Sequence, residues 1–188
     1  SVPVKSEDNS ARQGMPDLDP TFEIGPSLEV CITQTCKGKQ VWMFRVPLRA
    51  VIASDFSHVV SAGWVINPHI NFDIQDVGPG GRWNFGVAAG PMFASQDFHE
   101  YYYSVAPAYA TATRPVYQAR GGYSGFRVAS AVSKRFDDFW VGMFVRYDDL
   151  SGAVFDDSPL LRTKRAFLAG FGVAWVFARS STLVESRP

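Results

Sequence analysis

Few side chains in this sequence are of types that do chemistry, and their spacing narrows what that chemistry could be. Cys31 and Cys36 are the only two cysteines and lie around a turn between two alternating runs. In an oxidising compartment they could close that turn as a disulfide. The other reading is a pair of free thiols, because a short loop gains modest entropic stabilisation and cross-strand geometry restricts the bond. A zinc site would need a second Cys or His pair at ligand spacing, which the sequence lacks. His58, His69 and His99 are far apart. His69, close to Asp73, could act as an acid or base, but Ser, His and Asp are common and spacing alone defines no triad. No catalytic residue and no cofactor or metal is therefore expected. Asp148, Asp149, Asp156 and Asp157 make either a cation site or solvated loop charges, the second with Asp148 pairing an interior arginine. Tyr101, Tyr102 and Tyr103 follow Phe98, His99 and Glu100, and read as a membrane-interface girdle ahead of a ligand platform.

The elements that must position these residues show up as a period of two. Residues 165–177, RAFLAGFGVAWVF, put Phe167, Phe171, Val173, Trp175 and Phe177 on one face and Ala166, Gly170, Gly172 and Ala174 on the other. Such alternation is a strand, and bulky residues outside a small-residue inner face suit a curved sheet in lipid. The same period recurs at 21–33, 40–52, 58–74, 83–93, 123–134 and 139–149, giving about seven strands. In the run at 58–74 the apolar face is read as Val60, Ala62, Trp64, Ile66, Pro68, Ile70, Phe72 and Ile74. Pro26, Pro47, Pro68 and Pro91 interrupt these runs, each removing a ladder donor.

Composition fits this reading. The 188 residues are 14% aromatic and only 19% charged, with zero formal net charge, so nucleic-acid binding has no electrostatic footprint. No run approaches the roughly 18–20 apolar residues of a transmembrane helix, whereas the runs match the about 9–11 residues of a tilted membrane strand. With the apolar faces toward lipid, Glu23, Glu29, Arg45, Arg49, His69, Asp73, Arg127, Arg146 and Asp148 all fall on the lumenal side. An arginine at the lipid midplane costs roughly 2–4 kcal/mol, so a one-residue slip of register would be heavily penalised. The expected fold is an all-β, antiparallel, up-and-down transmembrane β-barrel spanning 21–177, between a polar loop at 1–20 and a polar tail at 178–188. Long loops at 95–120 and 150–164 fall on one side and the turn at 137–138 on the other, as in outer-membrane barrels. Loop parity and the unpaired edge at 21–33 further predict that N-terminal strands are missing.

The segments GMPDLDPTFEIGPSL (14–28), FHEYYYSV (98–105), RPVYQARGGYSGFR (114–127) and RYDDLSGAVFDDSPL (146–160), with the last strand ending at Phe177, resemble the MipA/OmpV family of Gram-negative outer-membrane proteins. HEYYY and RYDDLSGAVFDDSPL are the most specific of these. The resemblance implies an outer-membrane barrel surrounded by outer-membrane lipid, with Phe177 as the aromatic that the barrel-assembly machinery reads. It further implies a scaffold that tethers a lytic transglycosylase and a bifunctional penicillin-binding protein during murein growth. It supplies no catalytic residues. The alternatives are a small-solute pore and, behind that, a lipid-modifying enzyme. The turns at 33–39, 75–82 and 135–138 are where partner contact is expected.

Overall fold

The computed structural model describes residues 5–33, 36, 38–55, 58–78 and 82–178. Parts of the turns at 33–39 and 75–82, and the tail beyond residue 178, lie outside the described residues. The chain is all-β and antiparallel. The strands are β1 (Thr21–Ile24), β2 (Ser27–Cys31), β3 (Gln40–Ser54), β4 (Val59–Ile66), β5 (His69–Val77), β6 (Trp83–Ala94), β7 (Gly122–Arg135), β8 (Phe139–Asp149) and β9 (Arg165–Trp175). Among the described residues one α-helix, α1 (Gln96–Tyr103), stands between β6 and β7, followed by a 3-10 turn at Pro107–Tyr109. All nine strands join one sheet in the order β1-β3-β4-β6-β7-β8-β9, with β2 also on β3 and β5 on β3 and β6.

The strands thus occupy seven positions, because two of the alternating runs are each broken in two. The run at 21–33 breaks at Gly25–Pro26 and the run at 58–74 at Asn67–Pro68. Proline has no N–H to give to a ladder, so pairing stops where it stands.

The register sorts the side chains into two faces. Across β8 and β9, Met143 opposes Phe171, Tyr147 opposes Phe167 and Phe139 opposes Trp175, and this face is bare: Phe171 is 85% exposed and Trp175 75%. The belt continues through Phe126, Val87, Ile70, Phe44, Trp42 and Leu28 on the other strands. On the opposite face Arg127 opposes Asp148 and Glu29 opposes Arg45. That inner face also carries Trp140 and Phe144, whose rings fill the space a side chain at Gly142 or Gly170 would need. The small residues of β9 therefore make room for β8 aromatics, a pairing the reading of β9 alone did not reveal.

At one place the alternation misleads. The register between β3 and β4 shifts between Ala50 and Ile52, and Gly63 takes a φ of 92°. Ala62, expected on the apolar outer face, is instead buried with Val51 and Ala53 against Phe98 and Tyr101 of α1. A bulge adds one residue to one strand and so reverses the facing of those beyond it.

Candidate functional site

Helix α1 packs against the inner face of the sheet, away from the bare apolar belt, and forms the centre of a cap. Its docking point is Gly63, where any Cβ would overlap Ser95 Oγ and crowd the Phe98 amide. Ser95 is the N-cap: its Oγ accepts from Phe98 N at 3.3 Å and from Trp64 N at 3.0 Å, tying the first turn to β4. His99 is the best buried side chain of the helix, at 0% exposure. Its Nδ1 lies 2.5 Å from Arg120 O and its Nε2 2.7 Å from Ser124 Oγ. A neutral imidazole with its proton on Nδ1 satisfies both contacts, donating to the carbonyl and accepting from the hydroxyl. Burial pushes the His99 pKa below its ordinary value, which keeps that neutral form.

Aromatic stacking joins the helix to the loop at 150–164. Tyr103 stacks on Phe155 with ring centroids 3.8 Å apart and 9° between planes, and His99 lies 4.6 Å from the same ring. Ser158 Oγ donates to Tyr103 O at 2.7 Å, and Ala119 N donates to Ser104 Oγ at 2.9 Å, so both long loops close over Ala119, Ala153 and Phe155. Burial raises the Tyr103 pKa to about 12. Tyr117 is raised to about 12 as well, first by burial and then by its hydrogen bond to Asp157. Asp156 is held below the usual carboxylate range, chiefly by its hydrogen bond from Lys164.

The polar N-terminal segment is part of this cap. Ala11, Arg12, Met15 and Leu18 are buried. Arg12 donates to Tyr102 O at 3.3 Å and to Pro16 O at 3.4 Å, while Tyr101 OH donates to Asp19 O at 3.2 Å. Arg114 reaches across from the loop, its Nη1 donating to Ala11 O at 3.0 Å and Gln13 O at 2.9 Å. Replacing Arg114 by Ala leaves those carbonyls without their shared donor. The expected result is a cap weakened by roughly 1–3 kcal/mol, read as faster proteolytic clipping within 5–20 while the β-sheet stays folded.

Beneath the cap lies an inner cavity of about 500 Å³, lined by Glu23, Arg49, Arg127 and Asp148 together with Phe98, Tyr103 and Phe155. Asp148 organises its polar wall. Arg127 Nε donates to Asp148 Oδ1 at 2.7 Å and Nη2 to Oδ2 at 3.2 Å, and Arg146 Nε reaches Oδ2 at 3.2 Å. Glu29 pairs with Arg45 at 3.5 Å. Arg49 instead donates to backbone at the break between β1 and β2, to Gly25 O at 2.5 Å and Pro26 O at 2.6 Å. His69 and Asp73 do not meet: His69 Nδ1 lies 2.8 Å from Asn67 O, and Asp73 accepts from Asn71. Cys31 and Cys36 are joined as a disulfide with Cα atoms 5.9 Å apart. Among the described residues no cluster of three or more His, Cys, Asp or Glu side chains could hold a metal ion. Asp149 caps the turn at Ser151, and Asp156 and Asp157 hold Lys164 and Tyr117.

One feature of this region escaped the residue-by-residue reading. His99 looked like one member of an aromatic run, and only Ser124 and Arg120, more than twenty residues away, make it the centre of the cap. The signal that could have found it was the Ser95 N-cap followed by Asp97, which marks a helix start inside a loop.

Outer membrane protein Omp26La of Vibrio anguillarum is 29% identical over 92 residues, a match covering 47% of this chain and 34% of that protein. The chain therefore spans about a third of the length of this curated relative. No solved structure matches it significantly. The family model described as MltA-interacting protein MipA matches residues 1–177. With its antiparallel strands, bare apolar belt and charged inner face, the chain belongs to the MipA family and is a Gram-negative outer-membrane β-barrel protein.

Proposed function

We propose that this protein is a non-catalytic scaffold of the outer membrane that holds a murein hydrolase and a murein synthase together as peptidoglycan grows. Family membership carries the reading, since the family is described as MltA-interacting. A lytic transglycosylase and a bifunctional penicillin-binding protein are the partners that the resemblance implies. The chemistry of the inner face supports a role without catalysis. Its best-formed polar cluster, Arg127, Arg146 and Asp148, pairs its charges among its own members. His69 Nδ1 faces the Asn67 backbone carbonyl.

The short-turn end, at the periplasmic side in this reading, offers the contact surface. Phe136 and Phe139 stack there with centroids 4.3 Å apart, Arg82 Nη1 lies 2.7 Å from Asp137, and Lys134 Nζ sits 4.7 Å from the Trp83 ring. Aromatic and arginine side chains side by side are what protein interfaces favour. Outer-membrane lipid and the barrel-assembly machinery complete the set of partners, the latter recognising Phe177.

The test is co-purification of a lytic transglycosylase and a murein synthase with the intact protein extracted in mild detergent. Saturable retention of both, lost when the turns at 33–39, 75–82 and 135–138 are replaced, is the expected result. If a demonstrably folded barrel retains neither, the scaffold reading fails. Conductance across a planar bilayer then decides for the pore, whose support is the charged inner face.

A further inference from the structure

Four prolines stand at one level across neighbouring strands. Pro26 separates β1 from β2, Pro47 lies within β3, Pro68 separates β4 from β5, and Pro91 lies within β6. Hydrogen bonds place them side by side: Leu48 N donates to Pro26 O at 3.0 Å, Asn67 N to Pro47 O at 3.4 Å, and Asn67 Nδ2 to Pro91 O at 2.7 Å. The ladders lapse along this row. Strand β3 pairs with β5 as far as Arg45 and His69, and with β4 only from Leu48 and Ile66. Against β6, pairing stops at Ile66 with Phe93 and resumes at Ile70 with Ala89. Gly90 seals the remaining gap by close approach, since a Cβ there would overlap the Pro68 carbonyl and His69.

Over this seam the outer face is concave. A groove of about 790 Å³ is lined by Trp42, Phe44, Phe72 and Phe126, with Pro68 and Pro91 at the seam itself. Trp42 and Phe72 stack within it at 4.4 Å. The volume falls within the ~300–1,000 Å³ typical of small-molecule sites. The groove is continuous with the exposed apolar belt, which in an outer-membrane protein is the interface with lipid. Rigid proline rings and aromatic faces cannot collapse to fill such a hollow, and an unfilled hollow forfeits dispersion contacts on one side. The molecule at hand with matching chemistry is a hydrocarbon chain from the bilayer.

We propose that this groove is a defined seat for one acyl chain of a membrane phospholipid, built by the proline seam between β4, β5 and β6. It is distinct from the surrounding annular contact because its walls fix the chain on several sides. It stands independently of the scaffold reading.

The experiment uses the intact protein, purified in mild detergent and titrated with a phospholipid brominated at mid-chain, which quenches nearby tryptophans. Comparison with the Trp42→Phe and Trp175→Phe variants isolates two contributions, one from the groove and one from Trp175 on the open belt of β9. The expected result is saturable quenching of Trp42 at one lipid per protein, with half-saturation about tenfold below that of Trp175. Ala89→Phe, which fills the groove from its lining, is expected to abolish the saturable component. Val87→Phe replaces it if Ala89→Phe does not fold. Equal response of the two tryptophans, or saturable Trp42 quenching that survives the filled groove, overturns the proposal.

Discussion

Asp148→Ala is expected to lower unfolding stability by roughly 2–4 kcal/mol, the largest effect of any single charge removal in the sheet. Asp148 serves two guanidiniums, bidentate to Arg127 and single to Arg146, and its side chain is 11% exposed. Removing it leaves two like charges on the cavity wall without the carboxylate they share. The cost falls toward the lower half of the range for buried pairs, because the arginine side chains retain 33% and 37% exposure and water can reach them. Urea titration of the detergent-folded protein, followed by tryptophan fluorescence, measures the change. Arg127→Ala placed on Asp148→Ala should recover part of the loss by removing one orphaned charge. A single-variant loss under about 0.5 kcal/mol would show that the triad is solvated and contributes little.

The second large effect is in the cap. His99→Ala removes a fully buried ring that touches Phe155 and holds both Arg120 O and Ser124 Oγ. A cavity and two lost partners together predict roughly 2–4 kcal/mol of local destabilisation, read as faster hydrogen exchange in α1 with the strand amides unchanged. The pH dependence has a definite sign. His99 has a folded-state pKa below its ordinary 6.5, so its contribution is complete above that pH and is lost as pH falls through the folded value. Tyr103 behaves oppositely: raised from 10.0 to about 12, it contributes fully below pH 10 and loses its contribution as pH climbs toward 12. Exchange in α1 should therefore accelerate at both ends, after correction for the intrinsic pH dependence. His99→Ala should abolish the acid limb and keep the alkaline one. An acid limb that persists in this variant would refute the assignment to His99.

How much of this was legible in the sequence follows from the range of the forces involved. Alternation is local, so the strands and the facing of Met143, Tyr147 and Phe171 could be read directly from a period of two. Whatever depended on a distant neighbour could not. Ala62 follows the period yet faces inward, because Gly63 inserts a bulge whose purpose is to admit Ser95, more than thirty residues later. Tyr101, Tyr102 and Tyr103 have the composition of an interface girdle, but Phe155 and Thr21 draw them onto the inner side. The prolines were read one at a time as weakened strand ends. Only the register shows that they stand level.

That alignment has a mechanical consequence. A sheet resists bending through its cross-strand rungs, and here they thin out along one horizontal line from β1 to β6, where the bonds from Leu48 N to Pro26 O and from Asn67 N to Pro47 O remain, while β7, β8 and β9 pair without such a gap. The wall is thus stiff on one side and jointed on the other, like a panel scored across half its width. When bilayer thickness changes, a uniform barrel answers by tilting or by deforming the lipid around it. This one has a line of sparse rungs between the upper tier, which carries the cap, and the lower, and bending of the wall costs fewest hydrogen bonds there, around Asn67 and Pro91.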